Sequence, residues 1–254
     1  MRTPFGLLMV LILSCACMPS DEDTQSSVPL KTPCETIAHH GADYTVCTYK
    51  ASEDDIRLFH SDAEGVPFYQ FETLARELDE QGETLTFAMN GGMYHEDRRP
   101  VGFLRDDHGD QASVNTNAGP GNFHMQPNGV FWIDGDQAGI SESNAFLTLE
   151  LDPDYATQSG PMLVIDGALH PGINPDGTSR KRRNGVGVDA DGVTVRFAIS
   201  EAAVTFHDFA TLFQGPLETE NALFLDGQVS RLYAPGLERR EPGPDLGPIV
   251  GVVE

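Results

Sequence analysis

Two stretches hold the residues best suited to chemistry. Arg180-Lys181-Arg182-Arg183 sets four cations in a row in a chain of 254 residues whose formal net charge is −23. Asp226-Gly227 closes an apolar run over 222–225, with Ser230 just beyond. A run of charges is ordinarily a solvated surface, and Asp-Gly is ordinarily a turn, as at Asp134-Gly135 and Asp166-Gly167. What sets Arg183 apart is its place directly before the glycine-rich strand Asn184-Gly185-Val186-Gly187. A guanidinium turned inward there grips a phosphate or carboxylate through two parallel hydrogen bonds. In this reading Arg182 supports Arg183, while Arg180 and Lys181 stay in solvent. A carboxylate that ends a buried strand, as Asp226 does, is placed to act as nucleophile, general base or metal ligand.

Two further polar, glycine-bearing stretches follow strand-like runs. Asn90-Gly91-Gly92-Met93-Tyr94 comes straight after the apolar run 85–89. Asn and Gly enter the left-handed backbone region easily, so this turn is expected to be sharp and to aim consecutive N–H groups at an anion; taken alone, Asn-Gly is the commonest hairpin turn. Gln158-Ser159-Gly160-Pro161 offers an amide and a hydroxyl on a rigid loop. It lacks the Gly-x-Ser-x-Gly elbow, so Ser159 is not read as a hydrolase nucleophile. No phosphate-binding Gly-Lys-Ser/Thr loop, dinucleotide glycine motif, His-Glu-x-x-His or calcium-loop spacing is present. His124 and His207 read as structural.

The elements that must position these residues follow from periodicity. Alternating runs at 44–49 and 56–60 are strands, and 85–89, 101–104, 129–133, 162–165 and 222–225 read as further short strands. Runs 185–188 and 193–199 flank Asp189-Ala-Asp-Gly192, a clear hairpin. Phe71, Leu74, Ala75 and Leu78 fall at helical spacing and predict an amphipathic helix closed near Gly82. Thr205-Phe-His-Asp208 is a capping box, with Asp in place of the usual Glu or Gln, opening a helix through Phe213. Residues 154–157 are expected to start a single helical turn, 117–123 an ordered loop, 235–248 a surface wrap and 249–253 an edge strand. The fold class expected is α+β: a single domain with a mixed or antiparallel β-sheet core flanked by helices.

Charge and termini bound the function. At 39% hydrophobic residues the chain can build a real core, and one large domain is ordinary at this length. The acidic balance excludes electrostatic binding of nucleic acid or of an anionic membrane surface, so an anionic substrate needs a local basic patch. Arg2 and the short apolar run 5–13 form a secretion signal, ending in Leu13-Ser14-Cys15-Ala16-Cys17. Small residues before a cysteine match a bacterial lipoprotein cleavage site, with Cys17 favoured over Cys15 for lipidation. The expected organisation is a signal over 1–16, a flexible acidic tether over 17–33 and a folded domain over 34–254. Membrane contact is then through the lipid alone, and the protein is periplasmic or anchored in a bacterial envelope. Export favours a bridge between Cys34 and Cys47; these two cysteines with His39 and His40 lack zinc spacing.

Together, Asn90-Gly91-Gly92-Met93-Tyr94, Gln158-Ser159-Gly160-Pro161, Arg183-Asn184-Gly185-Val186-Gly187 and Leu225-Asp226-Gly227…Ser230 resemble, in order and spacing over about residues 50–235, the phosphodiester glycosidase family. This is the family of the lysosomal uncovering enzyme, which removes N-acetylglucosamine from a phosphodiester. Asn122-Phe-His…Pro127-Asn-Gly-Val130 is similar to its bacterial branch. Many members carry a second glycine where this chain has Gln228. The resemblance implies an exported hydrolase of a sugar-1-phosphodiester. Arg183 holds the phosphate, Asp226 acts at the anomeric carbon as nucleophile or general base, and Asn90, the Gly91 and Gly92 amides and Gln158 orient sugar and phosphate. Tyr94, Ser159, Gly160, Arg182, Asn184, Gly227 and Ser230 complete the expected substrate site. No cofactor is required by this route. A non-catalytic lipoprotein that binds sugar or peptidoglycan fragments is the alternative. A third reading is a phosphoesterase using a divalent metal on Asp226 and a second acid such as Asp166.

Overall fold

The computed structural model describes Met1, residues 33–227 and residues 229–254. The signal, both candidate lipidation cysteines, most of the tether and Gln228 lie outside the described residues.

Three antiparallel sheets carry the architecture. The first has seven strands in the order Cys34–His39, Ala42–Lys50, Thr194–Ser200, Asn184–Val188, Asn221–Phe224, Met162–Ile165, Ala168–Leu169. The second has five, Arg239–Arg240, Leu232–Ala234, Leu85–Asn90, Ile249–Val253, Asp55–Phe59, and the third runs Gly109–Ala112, Leu104–Asp106, Tyr155–Ser159, Gly129–Asp134, Gln137–Glu142. One apolar core joins all three, with Tyr49 and Phe197 from the first sheet, Phe87 and Met89 from the second and Phe131 from the third. Phe87 sits 5.1 Å from Phe197, and Phe131 meets Phe197 edge-on at 6.0 Å.

The helices are few and peripheral. Phe71–Gln81 lays Phe71, Leu74 and Leu78 on the second sheet and ends at Gly82, which takes a left-handed φ of 84° and donates to the Asp79 carbonyl. Phe206–Gln214 opens with the expected capping box between Thr205 and Asp208, and packs Phe209 and Phe213 on the outer face of the first sheet. Ser143–Phe146 adds one short turn.

Several expectations are corrected. Of the mixed or antiparallel core expected, the antiparallel form is found in every strand pair described, while the helices are so minor that the fold is mainly β and α+β fits it only loosely. Residues 155–159 form a strand between two others, not a helical turn. The pairing expected at 101–104 begins only at Leu104. Ile249–Val253 is not an edge strand, because Leu85–Asn90 and Asp55–Phe59 bond it on both sides. Short apolar runs do not reveal how many neighbours they have, and sheet position is a tertiary property. Cys34 and Cys47 form a disulfide between directly paired residues of two neighbouring strands.

Candidate functional site

Strand ends from all three sheets meet at one point. Asn90 ends its strand in the second sheet, Ser159 ends one in the third, and Asn184 begins one in the first. Gly185 pairs with Phe224, so Asn184 lies beside Leu225 and Asp226 follows at the rim.

Asn184 is the hub. Its Oδ1 accepts from Asn90 Nδ2 at 3.2 Å and from the Asp226 backbone N–H at 3.1 Å, and its Nδ2 donates to the Asn90 carbonyl at 2.9 Å. Asn90 Oδ1 accepts from the Arg231 N–H at 3.0 Å. The Ser230 hydroxyl donates to the Asp226 carbonyl at 2.7 Å, and the Ser159 hydroxyl to the Leu225 carbonyl at 2.6 Å. This buried network holds the Asp226 loop from both sides, and its members have partners for their polar atoms, as burial requires.

Arg183 is 1% exposed, the largest side chain buried so deeply. Its Nε donates to the Val204 carbonyl at 3.1 Å and its Nη2 to the Ser179 carbonyl at 2.9 Å. The guanidinium stacks on Phe206, with its carbon 3.7 Å from the ring centre. A Cβ placed on Gly227 would sit 3.6 Å from Arg183 Nη1, so the guanidinium edge borders the Asp226-Gly227 turn. Among the described residues no carboxylate forms an ion pair with Arg183. Burial alone pushes its pKa down to about 10, since desolvation disfavours the charged form; at neutral pH it remains a cation.

Arg183 and Asp226 line one cleft of about 860 Å³, together with Tyr94, Glu96, Lys181 and Phe206. The Tyr94 hydroxyl donates to the Asp245 carbonyl at 3.0 Å, and burial first, then the Asp226 charge, push its pKa up to about 12. Glu96 and Asp245 also face this cleft, so a second carboxylate is available. From the sequence, Phe206 and Glu96 were missed. The signals were present in Tyr94-His95-Glu96 and in the helix-opening Thr205-Phe206, but only folding brings them to Arg183.

Other expected residues sit elsewhere in the plan. Gln158 is buried and does not face the cleft: its Oε1 accepts from the Phe103 and Asn115 N–H groups, and its Nε2 donates to the Asn115 carbonyl and Ser143 Oγ. Asn90 is likewise internal at 1% exposure. The Gly91 N–H donates to the Pro248 carbonyl and the Gly92 N–H to Thr157 Oγ1, so neither is aimed at an anion. Neither glycine takes a positive φ. What Gly92 supplies is close approach, for a Cβ there would lie 2.4 Å from the Gln158 carbonyl oxygen. Gly160 serves the same end against Asn128 and Phe123. Arg182 does not assist Arg183, because Glu241 holds it with two bonds of 2.7 and 2.8 Å.

A two-acid metal site on Asp226 and Asp166 is ruled out by register. Asp166 bonds through its N–H to Asn221, at the opposite end of the Asn221–Phe224 strand from Asp226. Among the described residues no group of three or more His, Cys, Asp and Glu side chains is arranged to hold a metal ion.

The family model for phosphodiester glycosidases matches residues 83–244, which include the Asn90, Gln158, Arg183 and Asp226 stretches. The uncharacterized protein YigE of Escherichia coli (strain K12) is 35% identical over 189 residues, covering 74% of this chain and 73% of its own. The fold is shared with the catalytic domain of zebrafish N-acetylglucosamine-1-phosphodiester alpha-N-acetylglucosaminidase, solved auto-inhibited by its pro-peptide. That match has a TM-score of 0.60 at 14% identity, over 89% of this chain and 84% of that one. It is also shared with a hypothetical protein from Synechocystis, with a TM-score of 0.56 at 14% identity over 87% and 61%.

Proposed function

The chain belongs to the phosphodiester glycosidase family, and on that footing we propose that it hydrolyses the bond between a sugar's anomeric carbon and a phosphodiester oxygen. The observation that carries this reading is Arg183: a buried, stacked cation with no carboxylate in ion-pair contact among the described residues, bordering the Asp226-Gly227 turn in one cleft. Burying a charge without a counterion is costly. An anion entering the cleft supplies the missing partner.

The reaction breaks the C1–O bond. The phosphate departs as a phosphomonoester, whose gathering charge Arg183 holds in a water-poor setting where such contacts are strongest. Asp226 acts on the sugar side, either taking a proton from the attacking water or attacking C1 itself. Asn184 and Asn90 position the Asp226 loop without touching substrate. Tyr94 and Phe206 supply apolar faces beside the reacting groups.

The test is incubation of the purified protein with a sugar-1-phosphodiester in water enriched in oxygen-18. Label in the released sugar, with an unlabelled phosphomonoester, is the expected result. Label in the phosphate means a phosphoesterase, and binding without turnover means a recognition module. We further propose export with a lipid on Cys17; the Cys34–Cys47 bridge supports an oxidising compartment. Loss of fatty-acid labelling in Cys17→Ser, but not in Cys15→Ser, is the check.

A further inference from the structure

The four-cation run splits by alternation. In an extended chain, residues two apart face the same side. Arg180 lies 4.0 Å from Asp208, and Arg182 is held by Glu241. Lys181 and Arg183 have no ion pair among the described residues, and both line the same cleft. The backbone there is pinned, with the Lys181 N–H donating to the Val204 carbonyl at 3.1 Å and the Val204 N–H donating back at 2.8 Å. Two residues on, the Arg183 N–H donates to Ser200 Oγ at 2.9 Å and its carbonyl accepts from the Ser200 N–H at 2.9 Å.

Arg183 is buried and Lys181 is exposed. Lys181 stands where the cleft opens into a second groove of about 660 Å³, and Gly227 and Val229 line both. In a chain of net charge −23 acids are abundant, yet within this run and among the described residues their ion pairs fall on Arg180 and on Arg182, which Glu241 holds at the edge of the second groove, and not on Lys181 or Arg183. We propose that the substrate is a sugar phosphodiester whose alcohol half carries a second negative charge, held by Lys181 as that half runs from the cleft into the adjoining groove. This rests on the phosphodiester reading of the cleft and narrows it to doubly anionic substrates.

Two small probes separate the second charge from the first. Glycerol 3-phosphate and 3-phosphoglycerate share a phosphate, and only the latter adds a carboxylate. Calorimetric titration of the intact protein at low salt is expected to show 3-phosphoglycerate bound about threefold to fivefold more tightly, the size of one rim ion pair. Lys181→Gln should bring the ratio of the two affinities to about one, whatever its effect on glycerol 3-phosphate alone, Lys181→Arg should keep the preference, and Arg180→Gln should not alter it. A preference that survives Lys181→Gln, vanishes equally in Arg180→Gln or is absent from the wild type overturns the proposal. Arg183→Gln tests the parent reading separately, since it should weaken both probes alike. If it weakens neither while Lys181→Gln still erases the preference, the second-anion site stands and the phosphate grip of Arg183 falls.

Discussion

The guanidinium carbon of Arg183 lies 3.7 Å from the centre of the Phe206 ring, and Phe206 in turn meets Phe224 edge-on at 4.7 Å. The ring is the first residue of the Phe206–Gln214 helix, whose capping box fixes where that helix starts. A local helix signal thus sets the plane of the cleft's deepest cation, and two carbonyls set its rotation. What remains of its donor edge faces the Asp226-Gly227 turn.

Arg183→Lys keeps the charge and loses the planar fork. Turnover of a sugar-1-phosphodiester is expected to fall about 10²–10³-fold, with apparent affinity changing less, because the contact strengthens as charge builds on the leaving oxygen. Arg180→Lys, already paired with Asp208 at the surface, should leave the rate near wild type. Steady-state kinetics with melting temperatures alongside decide between them.

Asp226→Asn should cut turnover about 10³-fold, within the range of lost acid–base catalysis, and leave phosphate binding intact, since Arg183 is untouched. Parallel measurements of rate and of phosphate affinity check this. Equal loss of both would move Asp226 from chemistry to binding.

Asn184→Ala removes the acceptor of the Asp226 N–H and of Asn90 Nδ2, together with the donor to the Asn90 carbonyl. Buried groups left without partners cost about 1–3 kcal/mol each, so a loss of roughly 2–4 kcal/mol is expected from urea unfolding. Turnover should fall as well, because the Asp226 loop loses its anchor.

The pH dependence follows from Arg183. Its folded pKa is lowered to about 10 from an ordinary 12.5, so its charged form is disfavoured by folding. Near neutral pH this destabilises the fold, and the penalty is relieved only as pH rises through about 10. An added phosphate restores a partner to the cation. The rise in melting temperature caused by phosphate should therefore be large at pH 8 and shrink above about pH 10, as thermal melts with and without phosphate will show.

The disulfide closes a loop of 13 positions between Cys34 and Cys47. Reducing it should lower stability by about 3 kcal/mol, chiefly by freeing the unfolded chain. Thiol labelling of the native protein without reductant should find neither cysteine reactive, and the Cys34→Ser, Cys47→Ser variant should retain turnover.

Local signals in the sequence determined the pieces. The apolar run 85–89, the Asp189–Gly192 turn, the helical spacing of Phe71, Leu74 and Leu78 and the Thr205/Asp208 cap all depend on neighbours within a few residues, so periodicity and capping chemistry suffice to read them. Arg183 and Asp226 stood out for a related reason: each sits directly beside a short buried run, and Arg183 does so at the end of four consecutive cations in an acidic chain. Assignments that depend on distant partners were not legible. Whether Gln158 faces a substrate or the Phe103–Asn115 loop, whether Arg182 supports Arg183 or pairs with Glu241, and whether 249–253 lies at an edge or between two strands are settled by chain segments tens of residues away or more. The same holds for Phe206, an ordinary helix-opening aromatic until the first sheet brings Arg183 against it. Burial, counterions and sheet neighbours are properties of the packed chain, and three sheets meeting at Asn184 decided them.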